Sequence, residues 1–348
     1  MSEDSPGIAC PIEIDQGEVI ELAHGGGGRL MRQLLDEIVS SAFEGLGLDT
    51  SRDSAPIKLE GPGAFTTDSY VVDPLFFPGG DIGKLAVCGT ANDLAMGGAV
   101  VQALTISFIL EEGLPVAELR QVVQSIATTA RQSHVQILAG DTKVVERGKG
   151  DGIYINSAGI GARRTPYDPS PDKIRDGDSI ILSGDIGRHG VAVMAARNGL
   201  EFSDPVTSDC TCLWPEIDAL ASAGVEIRCL RDLTRGGLAA ALVEIAEASG
   251  RDLQIEEEAV SVSQPVRAAC ELFGLDPMNV ANEGRFILFT PRDQVKEALT
   301  VLEEAAGRRP VEIGRVSSTK EGRAIIKSPY GVTRRIHLPK GQQMPRIC

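Results

Sequence analysis

Four aspartates sit beside Gly, Thr or Asn within apolar stretches: Asp68 in TTDSYVV, Asp93 in GTANDLAMGG, Asp141 in AGDTKVV and Asp232 in DLTRGG. Carboxylates are hard oxygen ligands, and Mg2+ held by them bridges to phosphates. Any single Asp in such a setting is more simply a helix or turn cap. Four in similar surroundings point instead to a Mg2+–nucleotide site. Lys84 in GDIGKLAV and Lys143 in GDTKVV lie among small and apolar residues, where they would neutralise phosphate charge. Gly25, Gly26, Gly27 and Gly28 run into a helical pattern. Backbone N–H groups at a helix start can cradle phosphate. The run is neither a Walker loop nor a dinucleotide fingerprint, so a plain turn explains it equally well. Glu283 in NEGRFILF stands before a buried-looking strand, as a base, a ligand or a strand-end carboxylate. His24 and His189 lie in settings that suit capping as well as catalysis.

The other chemical feature is Cys348, the last residue, in LPKGQQMPRIC. A thiol on a frayed end is exposed and open to modification. Residues 339–348 carry Pro, Gly and Gln without apolar periodicity and read as a flexible tail. Fully extended, they reach about 33 Å. Such an arm can carry a group between two active sites. Arg346 is placed to offset the terminal carboxylate or to anchor the tail to a carboxylate. Cys210 and Cys212 in CTCLW, with Cys229 beyond, lack the second close pair or the His that a structural zinc site needs.

These residues need elements to hold them. GRLMRQLLDEIVSSAF has helical spacing through Leu30, Leu34, Ile38 and Val39. AFTTDSYVVDPLFFPGG reads as a strand running into a turn, and the next segment as a helix of small residues followed by a buried strand. VAELRQVVQSIATTARQSH is amphipathic, with Leu119, Val122, Val123 and Ile126 on one face. VQILAGDTKVV reads as a strand into a loop, and GIYINSAGIGAR as a strand. Pro, Asp and Gly in YDPSPDKIRDGDS mark a boundary. The second half repeats the mixture, and Gly250 is a helix C-cap in DLTRGGLAAALVEIAEASG. The expectation is an α+β fold: an arm over 1–15, αβ domains over 16–168 and 169–338, and the tail over 339–348.

At 348 residues the chain exceeds one hydrophobic core. A net charge of −15 argues against nucleic acid as a partner. No apolar run is long enough for a bilayer, so no membrane partner is expected. Seven scattered Cys fit a reducing cytoplasm.

LAHGGGG, TTDSYVVDPLFFPGGDIGKLAVCGTANDLAMGGA, LAGDTKVV, SGDIGRHGVAVMAAR, LRDLTRGGLAAALVEIA and ANEGRF occur in the order found in AIR synthetase (PurM)-like ATP-dependent enzymes. The chain resembles that family, and the ending MPRIC resembles its hydrogenase-maturation carbamoyl dehydratases. The resemblance implies two αβ domains of the AIR synthetase type, with the N-terminal domains pairing into a β-barrel in a homodimer. It implies ATP and Mg2+ held by Asp68, Asp93, Asp141 and Asp232, with Asn92, Thr142, Arg235, Gly236 and Gly237 in the nucleotide-binding segments. It implies that the carbamoyltransferase HypF loads Cys348, that ATP-dependent dehydration turns the S-carbamoyl group into a thiocyanate, and that the HypC–HypD complex accepts the cyanide. Lys143, Glu283 and His189 are then the catalytic candidates beside Cys348, with Glu283 first as proton acceptor. Two other readings stand beside this one. The first is an enzyme of the same fold acting on a free small molecule. In a selenophosphate synthetase a reactive Cys in a Gly/Lys-rich loop is expected, a context that Cys10 lacks. The second is a scaffold in which ATP is only structural.

Overall fold

The computed structural model describes residues 19–50, 54–58, 61–164, 167–202, 204–338 and 344–348. The arm expected over 1–15 lies outside them.

The glycine run leads into α1 (Arg29–Leu34), which continues as a π-helical stretch from Leu35 to Ser40. Leu34 and Ile38 stay buried across that change. β1 (Gly63–Tyr70) follows, then a short hairpin of β2 (Phe76–Phe77) and β3 (Gly80–Asp81). Asp81 caps α2 (Ile82–Met96), accepting from the backbone N–H groups of Gly83 at 2.7 Å and Lys84 at 3.1 Å. Two of the helix's unpaired donors are thereby satisfied. The small residues of α2 allow close packing: a Cβ on Gly83 would meet the Val122 carbonyl oxygen at 2.6 Å, and one on Gly89 the Tyr70 hydroxyl at 2.5 Å. β4 (Ala99–Glu111), α3 (Val116–Gln132), β5 (Gln136–Val145) and β6 (Ile153–Arg163) complete this half.

The four strands pair in the order β1–β6–β4–β5, with only β4–β5 parallel. Helices α2 and α3 cover one face. Leu119, Val122, Val123 and Ile126 of α3 are buried there as their spacing predicts, each contributing about 1.5–3 kcal/mol. The other face stays open: Phe65 is 72% exposed and Ile109 44%. β1 and β5 are its edges, three strand spacings or about 14 Å apart.

The expected loop after VQILAG is instead strand. β5 runs through Asp141, Thr142 and Lys143 because the long β4 offers a parallel partner as far as Glu111↔Val145.

The second half holds β7 (Ser179–Leu182), α4 (Arg188–Arg197), α5 (Trp214–Ser222), β8 (Cys229–Asp232), α6 (Gly237–Ser249), β9 (Leu253–Glu256), α7 (Gln264–Phe273), β10 (Phe286–Thr290), α8 (Val295–Ala306), β11 (Val311–Val316), β12 (Ala324–Lys327) and β13 (Thr333–Arg335). Its seven-stranded sheet runs β13–β12–β9–β11–β7–β10–β8. Alternate residues of the central strands serve opposite layers. Ile180, Leu182, Ile287 and Phe289 pack with α6, and Ile181 and Leu288 with α5 and α8. Gly250 ends α6 at φ 65°, the left-handed cap expected.

Of the tail expected over 339–348, residues 339–343 lie outside the described residues, and 344–348 differ from the solvated arm read from composition. Residues 344–348 are docked, with Met344 and Ile347 buried among Val191, Val266 and Val280. Met344 and Ile347, three residues apart across a turn, give the short segment a hydrophobic anchor that composition does not register.

Candidate active site

Four carboxylates meet where the two halves of the chain join. Asp68 comes from β1, Asp93 from the last turn of α2, Asp232 from the end of β8, and Glu283 from the segment leading into β10. Thr66 donates to Asp93 Oδ2 at 2.9 Å. Glu283 is buried and its Oε1 has no hydrogen-bond partner. Its backbone is fixed by Asp209, which accepts from the N–H groups of Glu283 at 3.3 Å and Gly284 at 3.1 Å. A Cβ on Gly284 would lie 1.9 Å from the Asp209 carbonyl oxygen, so only glycine permits that approach.

The group is electrostatically strained. Burial, then the charges of Asp232 and Asp209, hold Glu283 well above the usual carboxylate range. Desolvation and then Asp93 push Asp232 up to about 7. Burial also raises Asp93, with Asp68 adding to it. Burial and neighbouring negative charge disfavour the ionised forms, so the group favours the arrival of positive charge. A cavity of about 500 Å³ opens beside them, lined by Thr67, Asp68, Asp93, Arg231, Asp232 and Arg235.

The docked tail leads into this group. The N–H of Val71 donates to the Cys348 carbonyl oxygen at 3.0 Å and that of Asp73 to the Arg346 carbonyl at 3.2 Å, so the tail runs antiparallel to the segment after β1. Arg346 Nε donates to the Val71 carbonyl at 3.0 Å, and its guanidinium pairs with Asp151. Cys348 is thereby brought within electrostatic reach of Glu283, Arg235, Asp68 and Asp232; desolvation first, then Glu283, pushes its thiol up to about 12.

His189 serves the tail. Its Nε2 lies 2.8 Å from the Ile347 carbonyl and its Nδ1 2.9 Å from Ser208 Oγ. A carbonyl only accepts, so Nε2 carries the proton and Nδ1 accepts from Ser208. Burial lowers the imidazole pKa. His189, expected as a catalytic candidate, is here a buried imidazole hydrogen-bonded to the tail's backbone.

The other expected residues lie elsewhere. Asp141 and Lys143 sit on β5, at the opposite edge of the sheet from Asp68. Lys143 Nζ donates to both Asp141 oxygens at 2.7 Å, and both side chains are more than half exposed. Lys143 holds the Asp141 carboxyl below its usual range. Thr142, between them, is buried on the other face of the strand. Gly25 packs on this same strand, where an added Cβ would meet Val144 N at 2.7 Å. Gly26, Gly27 and Gly28 lead on from it to α1, and a Cβ on Gly27 or Gly28 would meet nothing within 4 Å. His24 Nδ1 accepts from the Glu21 N–H at 2.9 Å, a capping role.

Lys84 donates to the Gly79 carbonyl at 2.9 Å and lines a separate cavity with Cys88, Cys212 and Trp214. Asn92 is spent structurally. It donates to the Thr211 carbonyl at 2.9 Å and accepts from Leu213 N at 2.8 Å, tying α2 to the second half. Gly236 (φ 76°) and Gly237 (φ 60°) start α6 beside Arg235, and Gly237 touches the Met278 and Val280 carbonyls too closely for a Cβ. Cys212 Sγ lies 3.4 Å from Cys88 Sγ. Among the described residues no three His, Cys, Asp or Glu side chains form a ready metal cage. Sequence reasoning missed Asp209 and Arg197, whose roles run through backbone groups of distant segments.

The family profiles of AIR synthase related proteins match this architecture: the N-terminal domain over residues 51–162 and the C-terminal domain over 175–327. The chain belongs to the AIR synthase related family. Within it, the chain is similar along nearly its whole length to the carbamoyl dehydratase HypE of Azotobacter vinelandii, at 46% identity over 332 residues, 94% of this chain and 97% of that protein. Hydrogenase maturation protein HypE, solved in complex with ATP, superposes with a TM-score of 0.90 at 42% identity, covering 94% of this chain and 99% of that one. HypE from a HypE–HypF complex gives 0.76 at 44% identity, over 80% and 90% of the two chains.

Proposed function

We propose that this chain is an ATP-dependent carbamoyl dehydratase acting on its own Cys348, and that the thiocyanate formed is the cyanide donor for the iron centre of a [NiFe] hydrogenase. The observation that carries the reading is the docked tail, which brings Cys348 to the carboxylate group. HypF is the partner that loads the cysteine and the HypC–HypD complex the acceptor, in the cytoplasm. No helix among the described residues is long and apolar enough to cross a membrane.

The residues fit ATP and Mg2+. Glu283 carries an unpartnered buried oxygen, and burial first, then neighbouring carboxylates, raises Asp93, Asp232 and Glu283. Mg2+ keeps waters and takes phosphate oxygens beside one or two carboxylates, so a closed cage is not required. Asp68, Asp93 and Asp232 would hold the metal, and Arg235 would face the phosphates. Bound ATP supplies the phosphoryl group that makes the carbamoyl oxygen a leaving group.

The chain's own residues do the rest. His189 and the Val71 N–H orient the tail so that the S-carbamoyl group enters a largely desolvated site. Neutralisation of Asp68, Asp93 and Asp232 removes three of the charges that hold Glu283 protonated. Glu283 then ionises and accepts one of the two carbamoyl N–H protons as the activated oxygen departs as phosphate, the other N–H proton having left to solvent when that oxygen took the phosphoryl group. The carbamoyl group R–S–CO–NH2 has lost one water overall and become R–S–CN.

Asp141, Lys143 and the glycine run lie too far along the sheet to join this group within one protomer. The open sheet face, with Phe65 and Ile109 exposed, supports a homodimer in which two such faces close a barrel and the β5 edge of one protomer meets the carboxylates of the other. Lys143 and the glycine run then complete the phosphate site across the interface.

Intact-protein mass spectrometry after incubation with HypF, carbamoyl phosphate and ATP tests the reading. Wild type gains a carbamoyl group and then loses one water, and Cys348→Ala gains nothing. Modification of Cys348→Ala at the wild-type level would overturn it.

A further inference from the structure

Arg197 ends α4 and closes the SGDIGRHGVAVMAAR block. Among the described residues its carboxylate partner is Asp73, whose Oδ2 lies 3.8 Å from Nε. Its guanidinium donates to backbone carbonyls on two segments. Nε and Nη2 reach the Asp73 carbonyl at 2.8 and 2.5 Å. Nη1 reaches the Pro345 carbonyl at 2.8 Å and Nη2 the Arg346 carbonyl at 2.7 Å.

We propose that Arg197 is the positioning residue that latches the carrier tail in its docked register. This deepens the reading of Cys348 as the carrier and rests on it. The fork joins α4, the segment after β1 and the tail, so docking is registered to both halves of the chain at once. It touches only main-chain oxygens of the tail. It is therefore blind to what the sulfur carries, and a free, carbamoylated or cyanated tail docks alike. A lysine carries its three donors on one nitrogen, whereas here the contacts are spread over Nε, Nη1 and Nη2 of a planar fork.

The surroundings fit a latch that must also open. A Cβ on Gly190, two turns before Arg197 on the same helix, would meet Met344 Sδ at 3.1 Å, so glycine there leaves room for the methionine. Arg346 adopts a φ of 51°, a left-handed conformation costly for a residue with a side chain. Docking is held by contacts against that strain, and the tail springs free when they break.

The test compares Arg197→Ala, Arg197→Lys and Met344→Ser with wild type. Met344→Ser loosens the tail from its own side and leaves α4 intact. Labelling of Cys348 by a maleimide, read on the C-terminal peptide, is expected to rise about tenfold in Arg197→Ala, with Arg197→Lys near it. Water loss from the carbamoylated protein is expected to slow by a similar factor, while loading by HypF is as fast as wild type or faster. A merely structural residue would slow both steps together and leave labelling unchanged, and either result overturns the latch. Labelling needs neither ATP nor a carbamoyl group. A wild type that never loses water therefore sinks the dehydratase reading, while labelling still decides the latch.

Discussion

The two edges of the four-stranded sheet carry the same kinds of residue in opposite states. At the β1 edge, Asp68 joins Asp93, Asp232 and Glu283, and burial with mutual repulsion pushes three of the four upward. At the β5 edge, Asp141 is exposed, clasped by Lys143 and held low. An aspartate in a Gly/Thr setting is thus not one functional class. The first edge gathers four carboxylates around Arg231 and Arg235, an excess of negative charge, and receives a thiol carried in by the tail. The second carries its own lysine, with Gly25 of the glycine run packed on the strand. Each edge has what the other is missing, which is the physical argument for their meeting across a dimer.

The largest effect breaks that comparison outright. Asp68→Asn and Asp141→Asn homodimers are each expected to lose dehydration by about a hundredfold or more. Co-expressing the two variants then restores a fraction of wild-type turnover, because one site of each mixed dimer receives both intact edges. If both edges served a site within one protomer, no mixture would recover activity.

A smaller effect sharpens the contrast in charge. Asp232 has an ordinary pKa of about 3.9 and rises to about 7 in the folded chain. Between those values the folded state binds the proton that the unfolded state releases, so stability falls as pH rises through that window. Asp232→Asn escapes this penalty. At pH 8 without Mg2+ its melting temperature should exceed wild type by roughly 2–4 °C, and the gain should vanish below about pH 4. A lower melting temperature at pH 8 would show that the carboxylate is already well compensated. The smallest effect is expected at the other edge. Asp141→Asn should change unfolding free energy by less than about 0.5 kcal/mol in denaturant titration, because an exposed ion pair is screened.

Much of this was legible in the sequence, for identifiable reasons. Helices such as α3 announce themselves by period, and Gly250 by its cap. Asp68, Asp93, Asp232 and Glu283 were found because carboxylates in small-residue settings are unusual. Cys348 was found because its segment ends a recognisable pattern. What the sequence hid was geometry between segments. Asp141 and Lys143 share the motif style of Asp68, but strand order alone separates them. Asn92 and Lys84 look like ligands, yet backbone carbonyls of the 79 and 211 turns claim them. The docking of residues 344–348 depends on Arg197 and His189 donating to carbonyls, and a carbonyl leaves no trace in residue type.

The central claim is that water leaves the group on Cys348 at the carboxylate edge, with Glu283 taking the proton. The most direct test is a single turnover of pre-carbamoylated protein with ATP and Mg2+, read as the mass of the C-terminal peptide, in wild type and Glu283→Gln. The account predicts loss of one water in wild type and a slowing of about 10²–10⁴-fold in Glu283→Gln with ATP binding retained. Water loss at the wild-type rate in Glu283→Gln, or ATP hydrolysis in wild type with the carbamoyl group left intact, would contradict it.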